Sequence, residues 1–207
     1  MKNAIHTIIK AGAVLGTAVS LSAVTVSFDD LATPSNNGGM LWGYVPGTYA
    51  GLNWNTNPSW EVGKDATFLS VYHNTNPSPS SPNIAYNDTG WASMRIWDGS
   101  FVFEGASVRS WGYNNAFASY SAHQITVKGY LNGAYVGEVQ LDLDAAAWQQ
   151  LPGINGVVDE LVWDTEGGER WFLMDDLQYT AVPDGGATLV LLGLAISGFA
   201  VTRRKSR

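Results

Sequence analysis

The chain has no cysteine among its 207 residues. That excludes disulfides, thiolate metal ligands and thiol catalysis, and leaves stability to packing. Histidine is nearly as scarce. His6 lies in an apolar end segment, and His73 and His123 alone do not supply a nucleophile-histidine-acid trio. Basic residues are depleted from the middle, where Lys64, Arg95, Arg109, Lys128 and Arg170 stand against seventeen acids over residues 24–182, a net charge of −12. Such a surface repels phosphate backbones and anionic lipid, which excludes nucleic acid as a partner, and it is compatible with cations and neutral sugars. Also missing from the middle is any stretch that keeps apolar residues at helical spacing for three turns.

The ends differ from the middle. Residues 1–23 place Lys2 and Lys10 around a polar start, followed by an apolar run that closes on small residues. This is the pattern of a secretory signal peptide, which passes the chain to the secretion machinery; an uncleaved N-terminal anchor is the alternative. Residues 183–207 begin Pro183-Asp184-Gly185-Gly186, continue as an apolar stretch over residues 187–202, and finish on Arg203-Arg204-Lys205-Ser206-Arg207. The fifteen residues 187–201, if helical, reach about 22 Å, less than the ~30 Å of a hydrocarbon core. The expectation is a short membrane-retaining helix with Arg203, Arg204, Lys205 and Arg207 held on the cytoplasmic side.

With Val182, Pro183, Asp184, Gly185 and Gly186 ahead of that helix, the tail resembles the PEP-CTERM class of sorting signals, and more closely its VPDSG-type variant. Gly185 stands where the variant carries serine. The resemblance covers about the last 26 residues. It implies export, temporary membrane anchoring through the C-terminal helix, and processing near the motif by an exosortase-type transpeptidase. The mature chain is then at the cell surface or outside the cell.

Residues 24–182 are enough for one domain burying about 68–70% of its unfolded surface. Short alternating runs between clusters of Gly, Asn, Pro and Ser predict an all-β, antiparallel sandwich of jelly-roll type. The clearest hairpin runs over 124–130, turns at Asn132-Gly133 and returns over 135–143, with Tyr135, Gly137, Val139, Leu141 and Leu143 expected on the core side. Further strands are expected over 24–28, 67–72, 91–97, 101–108, 157–163 and 171–179. Three prolines (Pro77, Pro79, Pro82) make 74–87 an expected exposed loop rather than a central strand.

The Gly- and Asn-rich segment 36–60 interleaves Trp42, Tyr44, Tyr49, Trp54 and Trp60. A loop of that composition is a candidate for stacking on sugar rings; the alternative is a cap folded inward onto the sandwich. In arrangement the middle resembles jelly-roll modules that accompany this type of tail and, more loosely, carbohydrate-binding modules of the galactose-binding-like class. The residues that carry this are Phe28-Asp29-Asp30-Leu31, the run 127–133, and Phe172-Leu173-Met174-Asp175-Asp176-Leu177.

Asp29-Asp30 and Asp175-Asp176 fall in the first and last expected strands, which lie side by side in jelly rolls. If the carboxylates converge, a structural Ca²⁺ would relieve their repulsion; otherwise each pair places one Asp in a local hydrogen bond and the other in water. Glu61, Glu104, Glu138, Glu160, Glu166 and Glu169 show no spacing that projects two into one cleft, as glycoside hydrolysis requires. The sequence therefore predicts a non-enzymatic surface or matrix protein with an adhesive or structural role in the polysaccharide layer. A carbohydrate-binding module with a defined ligand is the first alternative, and a jelly-roll glycanase or lyase the second.

Overall fold

The structure, a computed structural model, describes residues 22–33, 35–37, 40–71, 76–90, 92–112, 119–167 and 170–183. The expected signal peptide, apart from its last two residues, the helix over 187–202, the basic tail and Asp184 to Gly186 lie outside them. Among the described residues thirteen strands join one hydrogen-bonded sheet, with one short helix. They are β1 (Ala23–Val26), β2 (Ser35–Asn37), β3 (Met40–Tyr44), β4 (Thr48–Tyr49), β5 (Leu52–Trp54), β6 (Trp60–Lys64), β7 (Asn83–Asn87), β8 (Met94–Ser110), β9 (Gln124–Leu131), β10 (Ala134–Asp142), β11 (Gln149–Pro152), β12 (Val157–Glu166) and β13 (Phe172–Ala181). The helix α1 spans Asp65–Val71.

The 17-residue strand β8 turns the sheet into a sandwich. Its first half pairs with β12 on one edge and β5 on the other, while its second half pairs with β11 and β13. One layer is thus β4-β5-β8-β12-β9-β10 and the other is β11-β8-β13-β7-β6-β3-β2, with β1 beside the end of β13. Trp60 of β6 meets Trp163 of β12 at a centroid distance of 5.9 Å, and Trp54 of β5 at 5.6 Å. Strands far apart in the sheet order therefore face each other across an aromatic core, completed by Phe28, Phe101, Phe103 and Phe172.

The two layers differ on their outer sides. In the second layer, Ile84, Tyr86 and Leu173 point away from the main core yet are buried under Trp111, with Trp148 and Trp171 packed against them. A sheet covered on both faces loses the alternation of buried and exposed residues, and β7 is buried at all five positions. The first layer keeps the alternation, and its outer side meets solvent.

The hairpin forms as expected, with Asn132 at φ 51° and Gly133 at φ 75°, the left-handed values that its turn demands. Four expectations are corrected. Residues 67–71 of the expected strand 67–72 belong to the helix α1, while Tyr72 lies outside the described residues: Asp65 sits in the first turn, where a negative charge favours a helix N-terminus. Residues 83–87 form a central strand, because the prolines all lie before it and Asn83 and Asn87 use their side chains to bind the loop after β1 and the residues leading into β13. Residues 94–97 and 101–108, from the two expected strands 91–97 and 101–108, share one strand, β8. Tyr135 faces out, since an extra residue at Val136 shifts the register between β9 and β10.

Gly153 fits where no side chain can. A Cβ there would stand 2.3 Å from the Phe103 carbonyl oxygen and 2.7 Å from Glu104 backbone atoms, which have little room to move. Gly153→Ala is expected to cost about 1–3 kcal/mol, read as a lowered midpoint in thermal unfolding.

Candidate functional site

On the solvent side of the first layer, antiparallel register sets side chains in rows. Asn53 of β5 lies opposite Trp97 of β8, Trp97 opposite Glu160 of β12, Glu160 opposite Tyr130 of β9, and Tyr130 opposite Tyr135 of β10. With strands about 4.8 Å apart, the row runs from the indole to the outermost tyrosine over roughly 14 Å. Trp97 is 39% exposed and Tyr135 57%. Tyr130 and Tyr135 pack edge to face at 6.0 Å, which fixes both rings. Two residues along the strands lies a charged row of Arg95, Val162, Lys128 and Glu138.

Hydrogen bonds and ion pairs tie these rows together. Arg95 Nη1 donates to Glu160 Oε1 at 2.8 Å, and Lys128 Nζ to Asp164 Oδ2 at 2.9 Å. Partial burial disfavours the charge of Asp164, but the bonds from Lys128 and Ser93 outweigh it and hold its carboxyl below the usual range. The Lys128 ammonium is held above its usual value by the same bond. Around Trp97 a cleft of about 420 Å³ is lined by Arg95, Asp98, Asp159 and Glu160. Near the other end of β12, a second cleft of about 440 Å³ includes Ser93, Lys128, Asp164, Glu166 and Arg170. The first cleft is lined by residues of β8 and β12 alone, whereas the second also takes in loop residues such as Ser93 and Arg170.

The aromatic segment expected to carry the site is distributed differently. Trp54 and Trp60 are 1% and 0% exposed and belong to the core, so neither can stack on a ligand. Tyr49 is half-buried against Phe28 and donates its hydroxyl to Asp30. Trp42 is half-buried and packs edge to face on Tyr44, which is 57% exposed at the far layer. Strong hydrophobic burial of indole in a domain without disulfides is what draws this segment inward.

Of the expected calcium ligands Asp29, Asp30, Asp175 and Asp176, three accept hydrogen bonds from three different residues. The first and last strands do lie side by side, Val26 opposite Leu177, but the carboxylates are engaged separately. Asp29 accepts the Asn83 amide at 3.0 Å, and the fully buried Asp175 accepts the Ser80 amide at 2.9 Å and its hydroxyl at 2.8 Å. Asp176 follows at φ 47°. Among the described residues no group of three or more metal-ligating side chains comes together.

Two acids have carboxyls pushed up to about 7. Desolvation is the main cause for both Asp175 and Glu61. Glu61 in addition meets the carboxylate of Asp88, to which it binds, while Tyr86 opposes the shift by hydrogen bonding.

At the end of β13, Ala181 leads into Val182 and Pro183, the last described residues. Residues 181–206 match the VPDSG-CTERM motif. The chain carries a sorting signal. That signal directs it to export and surface display, and it implies a sorting enzyme as partner. Among the described residues no helix is long and apolar enough to cross a membrane. No curated protein matches the sequence.

The fold is similar to that of a DUF4465 family protein from Bacteroides caccae, at 14% identity and a TM-score of 0.51, over 76% of this chain and 98% of that one. The CBM22-1 and GH10 modules of an endo-1,4-β-D-xylanase from Clostridium thermocellum, solved with xylohexaose, align at 13% identity and a TM-score of 0.33, over 78% of this chain and 28% of that one. A CBM32 module bound to GalNAc aligns at 9% identity and a TM-score of 0.29, over 76% and 98%.

Proposed function

We propose that the protein is a non-enzymatic component of the cell surface that holds extracellular polysaccharide on the outer face of its first layer. The observation that carries this reading is the register row Trp97–Glu160–Tyr130–Tyr135, with its exposed indole and exposed outer tyrosine. Aromatic rings pack on the apolar C–H faces of sugars, and neighbouring carboxylate and amide groups bind hydroxyls. Rigid strands hold these groups in place, so little ordering entropy opposes binding. The centre of the second layer, around Ile84, Tyr86 and Leu173, is covered by Trp111, Trp148 and Trp171.

The acids that could serve hydrolysis favour a binding role. Glu61 and Asp88 touch directly, whereas glycosidase carboxyls stand about 5–9.5 Å apart, and Glu61 is only 9% exposed. Glu160 is engaged by Arg95, and Glu104 accepts a hydrogen bond from Thr180. Delivery follows the tail: the segment 187–202 retains the chain at the membrane, the basic residues fix its orientation, and an exosortase-type enzyme cuts near 182–186.

Titration with polysaccharides should change tryptophan fluorescence. In the Trp97→Ala variant the change should be lost and affinity should fall at least tenfold, while the protein still unfolds in one cooperative transition. Retained binding in that variant would exclude the row as the contact. Release of reducing sugar from the same polysaccharides would replace the binding role with a catalytic one.

A further inference from the structure

We infer that the sugar favoured over Trp97 is a cationic amino sugar, so the preferred polysaccharide carries free amines rather than acetylated or acidic groups. This rests on the polysaccharide-binding reading of the same face.

The cleft around Trp97 brings three carboxylates, Asp98, Asp159 and Glu160, beside one guanidinium, that of Arg95. The guanidinium is engaged with Glu160 at 2.8 Å. Asp98 receives one hydrogen bond, from Asn53 Nδ2 at 3.3 Å, and Asp159 one, from the Asn132 amide at 2.7 Å. A carboxylate offers about four acceptor positions, so each keeps acceptors for a ligand. The next cation on this face, Lys128, is paired with Asp164 at 2.9 Å one row away. The lining therefore carries a local charge of −2 within a domain that is itself strongly acidic.

An exposed indole at the centre changes what that charge can select. A sugar ring stacked on Trp97 presents its substituents to the cleft walls. An ammonium there meets carboxylates and the electron-rich face of the indole, a cation–π arrangement in which tryptophan is the strongest partner. An N-acetyl group keeps the stacking and loses the charge. A uronate keeps the stacking and meets repulsion. Exposed charge pairs each contribute modestly, and two uncompensated carboxylates amount to about a tenfold preference.

The test uses the full chain in isothermal titration at low salt, with three oligosaccharides of equal length: glucosamine, N-acetylglucosamine and a uronic acid, at a pH where the amines are protonated. The expected order is amine, then acetylated, then uronate, with about tenfold between the first two. High salt should shrink that gap by screening. An Asp98→Asn, Asp159→Asn double variant should bring the amine, acetylated and uronate affinities together. Equal binding of the amine and acetylated forms by wild type would overturn the amino-sugar preference and leave polysaccharide binding standing. Binding of neither would overturn both. Amine binding that survives Trp97→Ala would reveal mere attraction to the acidic surface and would also overturn the preference.

Discussion

Trp60→Ala is expected to destabilise the protein by about 3–5 kcal/mol, a large share of the 5–15 kcal/mol that a folded domain possesses. Trp60 is 0% exposed and joins the layers through ring contacts with Trp54, Trp163 and Phe172 at 5.6, 5.9 and 5.8 Å. Its Nε1 donates to the Arg95 carbonyl at 3.2 Å, so truncation opens a cavity and removes a hydrogen bond as well. Urea unfolding measures the loss directly. Tyr44→Ala, in the same aromatic segment but 57% exposed, should remain within about 0.5 kcal/mol of wild type. Equal losses at the two positions would contradict the division of this segment into core and surface.

Stability is expected to fall as pH rises from about 4 to about 7. Glu61 and Asp175 ionise near 4.5 and 3.8 when exposed, and the folded protein holds their protons up to about 7. The folded state thus binds more protons than the unfolded chain inside that window. The stabilisation is complete below the unfolded values and is gone above about 7, with a slope of at most about 1.4 kcal/mol per pH unit for each group. Glu61→Gln isolates one contribution. The amide copies the protonated acid, donating to Asp88 and accepting from Tyr86. The variant should match wild type near pH 4, exceed it at pH 8, and show a flatter profile between. Parallel profiles, measured by thermal unfolding across pH, would show that Glu61 is charged in the folded protein.

What the sequence revealed depended on whether the signal was local. The Asn132-Gly133 hairpin was legible because turn chemistry and alternation sit within twenty residues of each other, and the tail was legible because its three parts are contiguous. Strand β7 was not. Asn83 and Asn87 look like turn formers in sequence, but Asn83 donates to the Phe28 and Leu31 carbonyls, while Asn87 donates to the Arg170 carbonyl and accepts the Phe172 amide. Those partners come from strands or loops more than fifty residues away. Tyr135 was misplaced by a single extra residue, because one bulge inverts every side chain beyond it.

The candidate site shows the same division. Trp97, Tyr130, Tyr135 and Glu160 form a row only through the pairing of four strands, and no single-chain pattern specifies that register. The alternation Ser93-x-Arg95-x-Trp97, polar or aromatic on one side and apolar at Met94 and Ile96, was the available sign that Trp97 faces solvent. Conversely, the density of aromatics over 42–60 drew attention to Trp54 and Trp60, which the core required. Composition located aromatic residues, and topology decided which of them remained accessible.

The most direct test of a surface-sorted, polysaccharide-holding sandwich is to fractionate the cells that make it and measure the intact mass of the chain in each fraction. The chain should appear with extracellular polysaccharide, its mass ending near residues 182–186, and Trp97→Ala should shift it into the soluble medium. A chain that keeps residues 187–207 and stays in the membrane fraction, unaffected by Trp97→Ala, would contradict both its sorting and its role.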